Sequence, residues 1–315
     1  MKRTLLFLLP ALMTLVAAAA SGPMKTIKMG KGPYFAALNP VRNLIYVTNF
    51  ASDEVWVVDA TTLTVVGRPF YAGYEPLGIA VSPDGDKIFV TNMGPGLVKV
   101  VNAKDYQTLD DIKVGATPSS VAVSPKGSMA FVTNFGKGKI GRVDFVDTTS
   151  HRVVAELEVG IRPLAAVVTP AGDFLYVVCG GSNEVYAIDI AAKKIIQQIP
   201  VGITPDGIAL SPDGNTLYVA NSGSNDVSVI DLVDNTEKKR IPVGKSPFSL
   251  AVSNTGKLVV VETGDSTVSI FNPDLQKAAS FKVGKQPIDV CLSSDDKFAF
   301  VTLEKENKLA VLTLQ

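Results

Sequence analysis

Charged side chains stand beside a proline that recurs along the chain, and they are the first candidates for chemistry. Within two positions of that proline lie Glu75, Arg162, Asp206 and Asp289. If they converge, carboxylates and a guanidinium can hold a polar ligand or a cation, or act as general acid and base. In two further copies of the motif the proline is followed by Tyr34 and Phe248, which we expect to form apolar walls. We predict a ligand-binding site from these six residues, with no residue assigned as catalytic.

Two other interpretations of the same residues remain open. Scattered charges could line a water-filled channel that binds nothing. Carboxylates combined with backbone carbonyls could instead bind a hard cation such as calcium, although the sequence contains no calcium-loop signature. We expect no cofactor and no dedicated metal ligand, with calcium in the channel as the alternative.

Composition excludes several classes of site. The chain has one histidine, His151, and two cysteines, Cys179 and Cys291, too few for a His-rich metal site, a zinc finger or a disulfide-stapled fold. Lys plus Arg equals Asp plus Glu at 30 each, so the net charge is 0 and nucleic acid is not an expected partner. Without a catalytic constellation the residues favour a non-enzymatic protein but leave catalysis open.

The recurring proline belongs to a repeat that runs through the chain. A Gly-x-x-Pro motif occurs with its glycine at Gly30, Gly73, Gly115, Gly160, Gly202, Gly244 and Gly284. Each copy is followed by a segment related to Tyr-Val-Thr-Asn, at 45–49, 88–92, 130–134, 175–179, 217–221, 258–262 and 299–303. Self-similarity at such a period is the signature of a repeat architecture.

Each repeat has the composition of β-strands. The segments are short, rich in Val, Ile, Tyr and Phe, and bounded by Pro, Gly, Asn and Asp. We predict an all-β, seven-bladed β-propeller with four antiparallel strands per blade, forming a single domain over residues 21–315. The last repeat lacks a fourth strand, and residues 25–30 have that pattern, so the N-terminal strand should close the last blade.

These motifs resemble the YVTN-repeat β-propellers, named for the sequence found here at 46–49. That resemblance covers the chain after residue 21 and implies an extracytoplasmic protein related to surface-layer repeats. More distantly it extends to the haem-binding propeller of nitrite reductases and to propeller lactonases. Copies four, six and seven depart from the motif at Cys179, Glu262 and Leu303, which should not affect the fold.

Residues 1–20 have the features of a secretory signal peptide. Lys2 and Arg3 precede an apolar run, and Ala18-Ala19-Ala20 fits a cleavage site before Ser21. We therefore expect a periplasmic or secreted protein with no membrane span after cleavage.

The strand order places the Gly-x-x-Pro loops and the loops after the Tyr-Val-Thr-Asn segments on one rim, called here the top rim. The top-rim loops of blades one to three carry Phe50, Tyr74, Met93 and Phe135. Exposed apolar side chains of this kind can form a partner surface, and burial against neighbouring loops is the alternative. His151 is expected on the opposite rim, and the two cysteines are expected as buried free thiols in blades that lie across the ring.

Two classes of function follow. The first is a monomeric binding scaffold that presents its top-rim loops and channel mouth to an unidentified protein or small ligand. The alternative is an enzyme, similar to a propeller hydrolase or lactonase or to a lyase, with carboxylates at the channel mouth, or an accessory protein of a periplasmic redox or haem system.

Overall fold

The computed structural model describes residues 22–136 and 140–314, in which the strands form seven sheets. The expected signal peptide lies outside the described residues. In those residues no helix combines the length and apolar character needed to cross a membrane.

The first strand, β1 (Lys25–Lys28), precedes the first blade. Blades one and two then comprise β2 (Pro33–Asn39), β3 (Leu44–Asn49), β4 (Glu54–Asp59), β5 (Thr64–Val65), β6 (Phe70–Tyr71), β7 (Pro76–Val81), β8 (Lys87–Asn92), β9 (Leu97–Asn102) and β10 (Thr108–Lys113). Blades three and four comprise β11 (Pro118–Val123), β12 (Met129–Asn134), β13 (Gly141–Asp147), β14 (Arg152–Val159), β15 (Pro163–Val168), β16 (Phe174–Cys179), β17 (Glu184–Asp189) and β18 (Lys194–Pro200).

Blades five to seven follow the same plan. They comprise β19 (Pro205–Leu210), β20 (Thr216–Asn221), β21 (Asp226–Asp231), β22 (Thr236–Pro242), β23 (Pro247–Val252), β24 (Leu258–Glu262), β25 (Thr267–Phe271), β26 (Lys277–Lys282), β27 (Pro287–Leu292), β28 (Phe298–Leu303) and β29 (Lys308–Thr313). A short 3₁₀ helix, Glu304–Glu306, connects β28 to β29.

The predicted seven-bladed propeller is confirmed, including the closure of the ring. In blade seven the sheet order is β1-β29-β28-β27, and β1 pairs antiparallel to β29 with Lys25 opposite Val311. In each blade the strand that begins with the repeated proline lies innermost, because these strands contact one another from blade to blade. The fourth strand of blade one is interrupted between β5 and β6, where Pro69 has no N–H to donate to β4.

The hydrophobic core lies between the blades. Ile27 and Leu309 of blade seven pack in one buried cluster with Ile45 and Val47 of blade one. The second strand of almost every blade is fully buried on both faces, as its continuous apolar run predicted. Trp56 packs against the cluster between blades seven and one. Apolar and polar residues therefore do not alternate along the second strands, because both faces of each sheet are covered.

The motif threonine joins neighbouring inner strands. In blade seven the hydroxyl of Thr302 accepts a hydrogen bond from the Asp289 N–H (3.0 Å) and donates one to the Tyr34 carbonyl oxygen of blade one (2.7 Å). In blade one Thr48 makes the equivalent link to Leu77 of blade two (2.9 Å). Where the motif keeps its threonine, these bonds fix the height of one inner strand relative to the next. Blades four, five and six carry Val178, Ala220 and Val261 at this position instead.

The residue before the repeated proline adopts a left-handed backbone conformation. Its φ is 53° at Glu75, 55° at Arg162 and 50° at Thr204, a region that non-glycine residues rarely occupy. An Asn or Asp from the preceding blade holds several of these residues in place: Asn183 Oδ1 accepts the Thr204 N–H at 2.8 Å. At the ring closure, Asn307 Oδ1 accepts the Gly32 N–H at 2.9 Å. The top-rim loops are thus built by contacts between blades.

Candidate functional site

A cavity of about 440 Å³ lies at the top rim, where the inner strands and the loops that follow the second strands meet. Its wall is mainly apolar and includes Tyr34, Phe35, Phe50, Leu77, Met93, Phe135, Leu164, Ile208, Phe248 and Leu250. The polar side chains in the wall are Ser119, Asp206, Ser249, Asp289 and Glu304. A concave apolar site with a few converging polar groups is the usual form of a small-molecule site.

Asp289 is buried in this wall and is held by two donors. The Ser249 hydroxyl donates to Oδ1 at 2.6 Å, and the Ala36 N–H donates to Oδ2 at 2.9 Å. Burial raises the pKa of Asp289 to about 6, against the opposing effect of these two hydrogen bonds. The carboxyl group is therefore fixed by blades six and one and changes its charge close to neutral pH.

Asp206 is equally buried but is not held in the same way. Its side chain is 5% exposed, and Oδ1 accepts no hydrogen bond. The half-exposed guanidinium of Arg162 lies 3.5 Å from that oxygen. Burial raises the pKa of Asp206, while the Ser222 hydroxyl and Arg162 oppose the shift. A buried carboxylate oxygen without a donor is costly, and such atoms call for an explanation.

Neighbouring inner strands bring the two aspartates to one side of the channel. Asp206 is the second residue of β19, Ser249 lies on β23, and Asp289 lies on β27, which are the inner strands of blades five, six and seven. Gly207 follows Asp206 where β19 passes β23: a Cβ at this position would lie 2.7 Å from the Phe248 carbonyl oxygen. Close approach of the backbones thus requires glycine here.

Tyr34 lies among the acidic groups and the aromatic rings. Its pKa is raised to about 12, mainly by burial and then by the charges of Glu304, Asp206 and Asp289, with Arg162 opposing them. The Tyr34 ring meets the Phe248 ring edge to face at 6.3 Å and lies 6.4 Å from the Phe50 ring. The cavity therefore combines aromatic surface with negative charge.

The structure distributes the predicted ligand-binding residues between the cavity and its surroundings. Four of them line the cavity: Tyr34, Asp206, Phe248 and Asp289. Arg162 is exposed and reaches the cavity only through its contact with Asp206. Glu75 is exposed and is not part of the lining; its N–H is bound by Asp53. A role in ligand binding stays a prediction for all six.

The predicted partner surface divides in a similar way. Phe50, Met93 and Phe135 are half-buried in the cavity wall beside Tyr34 and Phe248, so the two predicted clusters form one site. Tyr74 is 65% exposed outside the cavity and contacts Tyr71 instead. The three wall residues occupy the same repeat position, directly after the second strand of blades one, two and three.

Sequence reasoning missed Glu304, although the repeat carried a signal for it. Glu304 directly follows Leu303, the last residue of β28, and so occupies in blade seven the position of Phe50 in blade one. Blades one, two and three carry Phe50, Met93 and Phe135 at this position, whereas blade seven carries a carboxylate. Ser249 was also missed, because only the bond from its hydroxyl to Asp289 distinguishes it from other inner-strand residues.

The residues with metal-binding or nucleophilic chemistry lie elsewhere. Cys179 and Cys291 are buried free thiols, as predicted, and burial raises the pKa of Cys179 to about 12. The His151 side chain is 15% exposed, so it is more buried than a typical surface residue. Its Nδ1 lies 3.2 Å from Oδ2 of Asp110 on an outer strand. Throughout the described residues, no three His, Cys, Asp or Glu side chains group as metal ligands would.

The residues that line the cavity are suited to two kinds of chemistry. Its apolar wall and buried carboxylates can bind an organic molecule that supplies a hydrogen-bond donor or a positive charge to Asp206. A buried carboxylate with a raised pKa can also remove a proton from a bound water or substrate.

Comparison with known proteins agrees with the architecture. A family model described as "Lactonase, 7-bladed beta-propeller" matches residues 14–287. The structure is similar to that of hydrazine synthase from Kuenenia stuttgartiensis, with a TM-score of 0.80 and 25% identity over 90% of this chain and 95% of that chain. It is also similar to a functionally unknown protein from Desulfotomaculum acetoxidans DSM 771, with a TM-score of 0.77 and 16% identity over 86% and 92% of the two chains. No curated protein matches the sequence.

Proposed function

Since this chain belongs to the lactonase family of seven-bladed β-propellers, we propose that it binds a small molecule in the top-rim cavity. One observation carries the proposal: a cavity of about 440 Å³ with aromatic walls contains the buried, incompletely paired carboxylate of Asp206. The volume falls within the range of sites for small organic ligands. A ligand that donates to Asp206 would complete the hydrogen bonding of this carboxylate and cover the apolar wall.

A thermal-shift screen of small metabolites against the purified protein tests the proposal. A compound that binds only the folded protein raises its free energy of unfolding by RT ln(1 + [L]/Kd), about 2.7 kcal/mol at a hundredfold excess over Kd. The effect should disappear in Phe248→Ala, which removes one wall of the cavity, and persist in Tyr74→Ala, which removes an exposed aromatic on the same rim. Equal shifts in both variants would place binding outside the cavity.

Hydrolysis of a lactone is a second candidate, favoured by the family and by the pairing of Asp206 with Arg162. In this scheme the Asp206 carboxylate takes a proton from a water molecule while the water oxygen attacks the ester carbon. Arg162 would stabilise the developing oxyanion. The ring C–O bond then breaks, and the proton passes to the departing ring oxygen, so that the product is a hydroxy acid.

Proton release from a panel of γ- and δ-lactones, followed in a pH-stat, tests the second candidate. General-base catalysis contributes about 10²–10⁴-fold, so Asp206→Asn should lower kcat by a factor in that range. Glu158→Gln, on the exposed outer strand β14, should have no effect. Because the pKa of Asp206 is raised, the rate should fall as the pH decreases through that raised value. Equal rates in wild type and Asp206→Asn would remove Asp206 as the base.

A further inference from the structure

The cavity is strongly biased toward negative charge. Three carboxylates, Asp206, Asp289 and Glu304, contribute to its wall, and no Lys, Arg or His occurs among the described residues that line it. Two cations oppose them from outside the lining: the half-exposed Arg162 lies 3.5 Å from Asp206, and the exposed Lys305 lies 2.9 Å from Glu304. Within a low-dielectric, mainly apolar wall these charges act more strongly than on an open surface. A cationic ligand would gain from that field, and an anionic ligand would be repelled.

Asp206 supplies the second, independent observation. Its side chain is 95% covered, yet Oδ1 has no hydrogen-bond donor, whereas the neighbouring Asp289 has one donor for each oxygen. The contrast between the two aspartates is informative because both lie on inner strands and are buried to the same degree. Both oxygens of Asp289 are hydrogen-bonded, whereas Oδ1 of Asp206 has only the half-exposed guanidinium of Arg162, 3.5 Å away, and no hydrogen-bond donor.

The aromatic rings indicate which class of cation the cavity can bind. Tyr34 is in contact with Phe35, Phe50 and Phe248, with ring centroids 5.1, 6.4 and 6.3 Å apart. Aromatic faces attract ammonium groups, and rings combined with carboxylates are the usual surroundings of bound organic amines. A calcium ion instead requires six to eight oxygen ligands, which this apolar wall does not offer.

Building on the proposed small-molecule site, we propose that the ligand is an organic ammonium ion. Its charge would lie beside Asp206, and its apolar part would lie against Tyr34, Phe50 and Phe248. The proposal assigns to Asp206 the selection of charge and to the aromatic rings the selection of size and shape.

Matched probes that differ only in charge test this assignment. The two pairs are phenethylammonium with 2-phenylethanol and choline with 3,3-dimethyl-1-butanol; phenylacetate and calcium chloride complete the panel. Titration calorimetry at pH 7.5 should show at least one ammonium compound binding about tenfold more tightly than its neutral partner, a difference of about 1.4 kcal/mol. Phenylacetate should bind more weakly than the alcohol of the same shape.

Two variants separate the charge effect from a loss of folding. Asp206→Asn should abolish the preference for the ammonium compound while its binding of the neutral partner stays within about twofold. Glu158→Gln, which removes an exposed carboxylate on the outer strand β14, should keep the preference. Thermal melting of each variant checks that it is folded.

The possible results distinguish the two proposals. Binding of the neutral compounds with no preference for the cation would overturn the ammonium assignment and leave a small-molecule site standing. Tighter binding of phenylacetate, or binding of calcium alone, would overturn it as well. Failure of every probe here and of every compound in the thermal-shift screen would overturn both proposals.

Discussion

Asp289 shows what burial does to a single carboxyl group in this cavity. Water is excluded from it, and two fixed donors, Ser249 and the Ala36 N–H, replace only part of its hydration. As a result the protonated form is favoured, and the pKa of Asp289 rises from 3.8 to about 6. Such a group stabilises the fold while it is protonated, and that stabilisation is lost as the pH increases through its folded value.

The first prediction concerns this titration. Between pH 4 and 7 the folded protein binds the Asp289 proton more strongly than the unfolded chain, so the contribution of Asp289 to the free energy of unfolding should decrease as the pH rises. The difference between wild type and Asp289→Asn should change by roughly 2–3 kcal/mol over this range, since each unit of pKa corresponds to about 1.4 kcal/mol. Urea unfolding at pH 4, 5, 6 and 7 measures it. Glu75→Gln is the control, and a pH-independent difference for Asp289→Asn would contradict the prediction.

At the scale of the element, the end of the second strand shows how one repeat position is adapted in each blade. In blade five the Asn221 side chain donates to Asp226 at 2.7 Å and to Ser228 at 2.9 Å. In blade six the polarity is reversed: the Glu262 carboxylate accepts from Thr267 at 2.6 Å, from Ser269 at 2.7 Å and from the Gly244 N–H at 2.8 Å. The third-strand residue opposite the motif position is thus an acceptor, Asp226, in blade five and a donor, Thr267, in blade six.

The second prediction is that restoring the motif asparagine in blade six destabilises the folded protein. Glu262→Asn should lower the free energy of unfolding by about 3 kcal/mol, because the shorter side chain leaves buried donors without acceptors. Adding Thr267→Asp, which recreates the pair of blade five, should recover about 1 kcal/mol. Denaturant unfolding of the single and double variants measures both effects. A stabilised Glu262→Asn protein would show that the motif residue is preferred whatever its neighbours.

The same elements explain which features could be predicted. Strand number and ring closure follow from local signals that recur in every repeat, above all the proline that starts each inner strand and the apolar run of the second strand. The break between β5 and β6 was not predicted, although Pro69 indicates it. Whether one cavity is lined by Phe50, Met93, Phe135 and Tyr34 together depends on how far their loops extend toward the axis of the ring. Contacts between blades determine the position of these loops, and the sequence of a single repeat does not specify it.

At the scale of the whole molecule, the closed ring couples all blades through shared cores. Cys179 belongs to the buried cluster between blades three and four, and Cys291 to the cluster between blades seven and one. The two thiols thus report on cores at distant points of the ring. Opening one core removes the packing surface of the next, so we expect the ring to unfold as one unit.

The third prediction tests this coupling through the two thiols. In the folded protein both thiols should be protected from a thiol reagent. Burial also raises the pKa of Cys179 to about 12 and raises that of Cys291, so less of the reactive thiolate is present and the reaction is slower still. As urea increases toward the midpoint, both should react at the same rate, limited by global opening. Mass spectrometry after pulsed alkylation resolves the two sites, with Cys179→Ser and Cys291→Ser as controls. A large difference in rate would indicate blades that open separately.

The pairing of β1 with β29 has a consequence for the protein during its synthesis. The ribosome delivers Ile27 among the first residues of this ring and Leu309, which packs with it, among the last. Until translation reaches β29, the first strand has no partner, however many blades have already formed behind it. A chain that stops prematurely therefore keeps an unpaired apolar strand and an open edge at each end, which are features that chaperones and proteases recognise. The ring is therefore complete only when the last strand has paired with the first.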